Sequence, residues 1–590
     1  MLDGRIVAHR ANLYSSLTTN IELENNNKNN GGYIRMKKYL LILTVLVLST
    51  ALILSGCTPE ATTDPDEGEN TEGQTATASG MFTYGFNGEP ATLNPILSTD
   101  SISSGITNFV YDSLLKEDEN LEIVGELAEN WEVSDDGKTL TFFLQDEVYF
   151  HDGEQLTADD VVFTINMILD PKYTGVRASD MKYVEEVVAN SDLEVQIKLS
   201  QVDVPIMEAL AGAGMGIIPE HIFKDVPAED LREFEASWNP VGTGPYKFIE
   251  YVSGQYTVLE ANENYWGEGP FIKTIMIKHF QDNQSVLSAF ENGDIDYIAK
   301  IPVEDIDRLK ENLSEEVTFV ETPNNGYYYI GLKQNHEYLK DQNVRQALMY
   351  SLDRQTIIDT VFQGYGTVIN SHSVPISWAH TDDVNEYPQD LEKAEQLFAE
   401  AGWTKGEDGF LYNEDGDKLE FTMVSMTGEE EKANVIAMVI EQWKNVGADV
   451  SVEYYERSVL FNQYLDVGEF ESYMWGWNLS NDPDSFNQFH SSQAKLNEAG
   501  EPDPNGTLKG FNDCEYINPE VDQLLEAGRQ TYDTEERKVI YAQIQQILNE
   551  ELPYIFLYTT NDVKAIYNNL EDVVWSPLEP IDHHLWKIVE

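Results

Sequence analysis

The 590-residue chain is 41% apolar and 11% aromatic, enough to bury a large core in more than one lobe, which excludes an intrinsically disordered protein. Asp and Glu number 104 against 37 Lys and Arg, and the resulting formal charge of −67 repels phosphate backbones and excludes nucleic-acid binding. Two cysteines, Cys57 and Cys514, are too few for a disulfide scaffold or a thiolate zinc site.

Residues 1–35 contain the Asn/Lys-rich stretch Asn25–Asn30 and read as a mis-annotated extension, with the true start at Met36. Met36-Lys37-Lys38 then opens a charged segment, Tyr39–Leu54 is an apolar run, and Leu54-Ser55-Gly56-Cys57 closes it. That order predicts a signal peptide over residues 36–56. The run is shorter than the ~20 residues of a spanning helix, and its end resembles the lipobox of bacterial lipoproteins, so Cys57 is expected to be lipidated and to become the mature N-terminus. Removing residues 1–56 takes away six basic and three acidic residues and moves the charge from −67 to −70, so the acidity belongs to the exported part. It reads as a solvated surface. Residues 57–80 follow as a disordered tether: Thr58–Gly80 has no aromatic or large aliphatic side chain and reaches a root-mean-square of roughly 25 Å.

From Met81 onward, strand-like and helix-like patterns alternate. Lys138–Leu144 alternates as a strand does, and Thr157 with Asp160 forms a capping box ahead of a helix over Val161–Leu169. Asn413–Asp417 (NEDGD) lacks the ligand spacing of a calcium loop and predicts a hairpin turn. Asp390 can cap a helix ending at Gly402, and Thr534 another that Pro553 ends.

Catalytic signatures fail on their spacing. Gly137-Lys138-Thr139 lacks the upstream Gly of a phosphate loop, and Gly212, Gly214 and Gly216 miss the dinucleotide pattern by one residue. His336-Glu337 is not followed by a second His at the spacing a zinc protease needs, and no G-x-S-x-G occurs. No catalytic residue, metal ligand or cofactor is therefore assigned. Trp475-Gly476-Trp477 stands out instead, because large rigid rings beside a glycine suit a cleft that grips an extended ligand.

Eight blocks in order carry a resemblance. They are Leu127–Trp131, Tyr149–Asp160, Asn239–Tyr246 (NPVGTGPY), Asn264–Gly267, Glu291–Asp296, Val344–Leu348 with Asp353-Arg354, Ala394–Trp403, and Asn518–Asp522. Together they resemble the extracellular solute-binding proteins of peptide/nickel-type importers, family 5. The resemblance covers about residues 81–590. It implies an α/β fold, the two-lobed clamshell of the type II periplasmic binding proteins, with an extra subdomain on the first lobe. Carried over, lobe I is 81–322 plus 556–590, its subdomain about 115–220, and lobe II 323–555.

The resemblance implies a receptor rather than an enzyme: a monomer, lipid-anchored on the outer face of the cell membrane. It would capture oligopeptides between its lobes and deliver them to the permease of an ATP-binding-cassette importer. Peptide-binding relatives hold the ligand extended, by strand addition. The matching positions are Thr99, Asp100 and Ser101 on lobe I, Tyr328 at the hinge, and Met474, Trp475, Gly476, Trp477 and Asn478 on lobe II. Many of these relatives place an Asp three residues beyond the Trp, for the ligand's ammonium group. Leu479 or Ser480 stands there, which leaves Asp482 or Asp484 as substitutes, or a ligand not held by its amine. The alternative keeps the fold and binds an oligosaccharide stacked on Trp475 and Trp477, or a nickel chelate.

Overall fold

The computed structural model of the protein describes residues 79–495 and 510–589. The readings of the signal peptide, Cys57 and the tether up to residue 78 fall outside the described residues, and the tether ends two residues earlier than expected, because Ser79 and Gly80 already belong to a strand in which Ser79 pairs with Ile272.

Strands and helices alternate along the chain, beginning with β1 (Ser79–Asn87), α1 (Ser101–Val110), β2 (Ala128–Val133), β3 (Thr139–Leu144), α2 (Ala158–Leu169), β4 (Val184–Ser191) and β5 (Glu194–Leu199). Next come β6 (Tyr246–Val252), β7 (Tyr256–Ala261), β8 (Ile272–Phe280), β9 (Tyr297–Ile298), β10 (Val317–Pro323), β11 (Gly326–Leu332) and β12 (Gly366–Val368). The last are α3 (Leu391–Glu400), β13 (Glu420–Met426), α4 (Glu430–Val446), β14 (Asp449–Tyr455), β15 (Ser472–Asn478), α5 (Pro519–Gln530), α6 (Thr534–Glu551) and β16 (Tyr554–Tyr567).

Local chemistry accounts for these boundaries. The backbone N–H of Thr157 donates to the Asp160 carboxylate at 2.9 Å, which closes the expected capping box at the start of α2. Asp390 caps α3 by accepting from the Lys393 N–H at 2.9 Å. For α6 the expectation is one residue off: Asp533, not Thr534, is the cap, accepting from the Glu536 N–H at 2.8 Å. A carboxylate beside the helix N-terminus gains from the macrodipole where a hydroxyl does not. Asn413–Asp417 is the expected turn, with the Asp417 N–H donating to the Asn413 side chain at 2.8 Å.

One mixed sheet runs through the molecule in the order β14-β13-β15-β11-β16-β9-β1-β8-β7-β6, with β10 and β12 paired to β16 beside that path. The 14-residue β16 joins its two halves, pairing with β11 and β12 through its first part and with β9 and β10 through its second. A separate four-stranded antiparallel sheet has the order β2-β3-β5-β4. Two large apolar cores sit on this frame. The first is drawn from Phe82 to Tyr297 with Ile566 and Trp586, and includes the inner face of the four-stranded sheet; the second runs from Tyr327 to Tyr558. The cores define a first and a second body; β11 lies in the second, and β16 passes between them, with Tyr554–Tyr558 in the second core and Ile566 in the first.

The blocks that carry the resemblance build this scaffold. Gly244 of the NPVGTGPY block donates its N–H to the Val110 carbonyl at 2.9 Å, an approach in which a Cβ would strike the Val110 backbone at 2.6 Å. Trp266 donates its indole N–H to the buried Asp112 at 2.8 Å, and Thr243 adds a hydroxyl at 2.9 Å. Arg354, 5% exposed, donates to the carbonyls of Ile369 at 2.5 Å and Phe556 at 3.0 Å, tying the segment between β12 and α3 to β16.

Candidate functional site

A cleft of about 1580 Å³ opens between the two bodies. The first body contributes Ser104 and Asn108 of α1, Glu117 of the short strand Leu115–Glu117, the segment around Arg177–Lys182, and Asp203–Gly214. From the second body come Asp466–Glu469, the turn Ser480–Asp484, Asn487, Gln488, Phe511 and Arg529. This is a polar wall with few rings.

Three sets of contacts span the bodies beside it. Arg529, in the last turn of α5, donates from Nη2 to Asp203 at 3.1 Å, while its carbonyl accepts from the Val204 N–H at 2.9 Å. Glu208, on the one-turn helix Ile206–Ala209, accepts from the Asn481 N–H at 2.8 Å and from the Asp482 N–H. The Tyr532 hydroxyl adds a bond to the Gly137 carbonyl at 3.2 Å.

Burial, the Asp482 carboxylate and the Glu117 carboxylate together push the Glu208 carboxyl up to about 8. Asp484 is pushed up to about 6 by burial, against the pull of Arg529.

Asp482 and Asp484 both line the cleft, but both are engaged. Asp482 receives Arg537 Nη2 at 2.7 Å and the Asp484 N–H at 3.0 Å. Asp484 faces Arg529 Nε at 3.6 Å and accepts from the Phe486 N–H at 3.2 Å. Neither is the free carboxylate that an amine anchor requires. Asn325 holds the positions before them, donating to the Leu479 carbonyl at 3.1 Å and to the Asn481 side chain at 3.2 Å.

The remaining sequence-derived positions separate. Thr99 and Ser101 are exposed at the start of α1, and Asp100 between them is the cap of that helix, accepting from the Ser103 N–H at 2.8 Å and the Ser103 hydroxyl at 2.6 Å. Met474 is 0% exposed within the second core, a correction to its reading as ligand-facing: the first half of β15, Ser472–Met474, is a central strand buried on both faces. Trp475 has Lys432 Nζ 4.6 Å and the Arg457 guanidinium 5.4 Å from its ring, and Phe461 edge-on at 5.0 Å, so it is no free stacking platform. Gly476 does permit a close approach, but to Tyr328, whose ring lies 2.9 Å from where a Cβ would stand. Tyr328 itself stacks on Tyr558 at 5.1 Å. Trp477 packs parallel to Tyr329 at 6.5 Å and against Phe511 at 5.2 Å, one ring behind the cleft surface. Asn478 is exposed and lines a smaller chamber beside the cleft.

Sequence reasoning missed Asp203, Glu208, Arg529 and Arg537. A signal existed for the arginines. Val521, Leu525 and Arg529 recur at i, i+4, i+8, and Arg537, Tyr541, Ile544 and Leu548 share another stripe, so each arginine sits on the buried face of its helix. A cation on an apolar stripe requires a paired anion. Asp203 stands in a loop and Glu208 on a helix of one turn, too short for periodicity to mark it.

Comparison with known proteins agrees with this architecture. The family described as bacterial extracellular solute-binding proteins, family 5 Middle, matches residues 122–498. The oligopeptide-binding protein AppA of Bacillus subtilis is 33% identical over 548 residues, covering 92% of this chain and 97% of its own. The structure of AppA in complex with a nonapeptide superposes with a TM-score of 0.68, covering 87% of this chain and 100% of that one. HbpA2 of Haemophilus parasuis, 23% identical over 87% of this chain and 100% of its own, shares the fold with a TM-score of 0.75. With a cleft between two cores on one mixed sheet and a match over most of its length, the chain belongs to the bacterial extracellular solute-binding proteins of family 5 and has their two-lobed type II clamshell fold.

Proposed function

We propose that the protein captures oligopeptides in the cleft between its bodies and delivers them to the permease of an ATP-binding-cassette importer, without chemistry of its own. The observation that carries this reading is the 1580 Å³ cleft in a chain 33% identical to an oligopeptide-binding protein over almost the whole of both. A volume of that size accommodates several residues of extended peptide. In this reading lobe I is 81–322 plus 556–590 with a subdomain at about 115–220, lobe II is 323–555, and β11 and β16 are the hinge. Thr99, Ser101, Asn478, Asp482 and Asp484 are the ligand-facing positions retained, with Ser480 added from the cleft wall. The oligosaccharide reading loses the support of Trp475, whose ring is already covered.

Because Asp482 and Asp484 are paired with Arg537 and Arg529, the ligand's amino group is not the main point of attachment. Calorimetry with one oligopeptide and its N-acetylated twin tests this. The two are expected to bind within about tenfold of each other, a difference under ~1.4 kcal/mol. A hundredfold loss on acetylation contradicts the assignment of the amine end, and absence of binding by every oligopeptide tried contradicts the peptide reading itself.

The lipobox-like Leu54–Cys57 supports a lipid anchor on Cys57, with the folded part tethered to the outer face of the membrane. Two acyl chains suffice for stable attachment, at ~0.8 kcal/mol per buried CH₂. Cys57→Ala is expected to move the protein from the membrane fraction to the medium. Retention on the membrane contradicts the anchor.

A further inference from the structure

A second chamber of about 100 Å³ adjoins the peptide cleft at the turn Ser480–Asp484 and shares Ser480, Asp482, Asp484 and Gln488 with it as common wall. It lies wholly in the second body. Two of its wall residues carry polar atoms without a partner among the described residues: the Nδ1 of His372 and the hydroxyl of Ser373, on side chains that are each only 5% exposed. The other ring nitrogen of His372 meets the Ser485 hydroxyl at 3.3 Å. Burial drives the His372 pKa down to about 3, which favours the neutral ring. The carboxylates shared with the cleft are engaged, Asp482 by Arg537 at 2.7 Å and Asp484 by Arg529 at 3.6 Å, although Arg529 is shared with Asp203 at 3.1 Å. Gln545, on the far wall, is saturated: it accepts from the Ser371 hydroxyl at 3.2 Å and donates to the Ala379 carbonyl at 2.6 Å.

The chamber is thus a small neutral recess with two buried hydrogen-bonding groups still to be satisfied. A charged side chain entering it finds no counterion and loses its hydration. An aliphatic one leaves both groups unpaired, and a buried polar group without a partner is costly. A short side chain with both a donor and an acceptor meets neither penalty.

We propose that the His372–Ser373 chamber is a specificity subsite of the peptide cleft, which takes one small uncharged hydrogen-bonding side chain of the ligand, that of Asn, Ser or Thr. The proposal rests on the peptide reading. Its test is competition binding on the full mature chain with hexapeptides in which each position in turn carries Asn, Ser, Leu, Lys or Asp. At one position, Asn and Ser are expected to bind at least tenfold tighter than Leu, Lys and Asp. Ser373→Val and His372→Leu are each expected to narrow that preference at least threefold, by weakening the Asn and Ser peptides or by relieving the cost to the Leu peptide. Unchanged melting transitions establish that both variants fold. Binding of all side chains within threefold at every position overturns the subsite and leaves the chamber a water site. So does a preference that survives both substitutions. If no hexapeptide binds at all, the peptide reading falls, and the subsite with it.

Discussion

Arg529→Ala is expected to abolish lobe closure and to weaken peptide binding by two orders of magnitude or more. The guanidinium lies between Asp203 of the first body at 3.1 Å and Asp484 of the second at 3.6 Å. Its side chain is 9% exposed and that of Asp203 4%. Removing one partner from a buried ion pair typically costs about 3 to 5 kcal/mol, because the other charge is left unpaired. In this case two carboxylates are left, and the loss falls on the arrangement in which Asp203 meets α5. Three kcal/mol is about a hundredfold in affinity. The checks are small-angle scattering, expected to give the larger, open dimensions at saturating peptide, and calorimetry for the affinity. A variant that still closes and binds within tenfold of the parent would remove Arg529 from the closure account.

Closure is also expected to weaken as pH rises, through Glu208. Its carboxylate is packed against the Asn481 and Asp482 N–H groups, with the Asp482 and Glu117 carboxylates beside it and Arg537 beyond, already bonded to Asp482. In the closed form its pKa is pushed up to about 8, whereas a solvated Glu titrates near ~4.3. Between those values the closed form holds a proton that the open form has released. Each unit of pH upward therefore costs closure at most ~1.4 kcal/mol, and the dependence flattens above about 8. The raised Asp484, at about 6, adds the same sign over the lower part of the window. Glu208→Gln retains a carbonyl oxygen to accept a backbone N–H but cannot ionise. That variant is expected to close more completely than the parent at pH 8 and to show a shallower profile from pH 5 to 8, read by scattering or by fluorescence transfer between the bodies. Closure that strengthens with pH, or an identical profile in the variant, would contradict the assignment.

Much of the scaffold was legible in the sequence. Periodicity and caps marked α2, α3 and the strand pattern of β3, because local rules fix such elements. The eight family blocks were legible for a related reason: glycines such as Gly244 are required where a backbone touches a backbone, and Trp266 and Thr243 are required to satisfy a buried Asp112. These are demands of packing, and they point to the fold more than to the ligand. Trp475-Gly476-Trp477 shows the difference. The composition suggested a ligand platform, but Gly476 admits Tyr328, Trp475 lies under two cations, and Trp477 backs onto Tyr329. The groups that do line the cleft come from loops and helix ends far apart in sequence, such as Asp203 with Arg529 and Glu208 with Asn481. No spacing rule joins residues more than two hundred positions apart, so their juxtaposition emerged only from the folded chain.

The central claim is that the cleft holds an oligopeptide. Native mass spectrometry of protein purified from its own host, followed by release and fragmentation of whatever is bound, tests it most directly. The account predicts a ladder of bound masses that resolves on fragmentation into peptides of varied sequence. A single bound species that fragments as a saccharide, or that carries the isotope pattern of nickel, would contradict it.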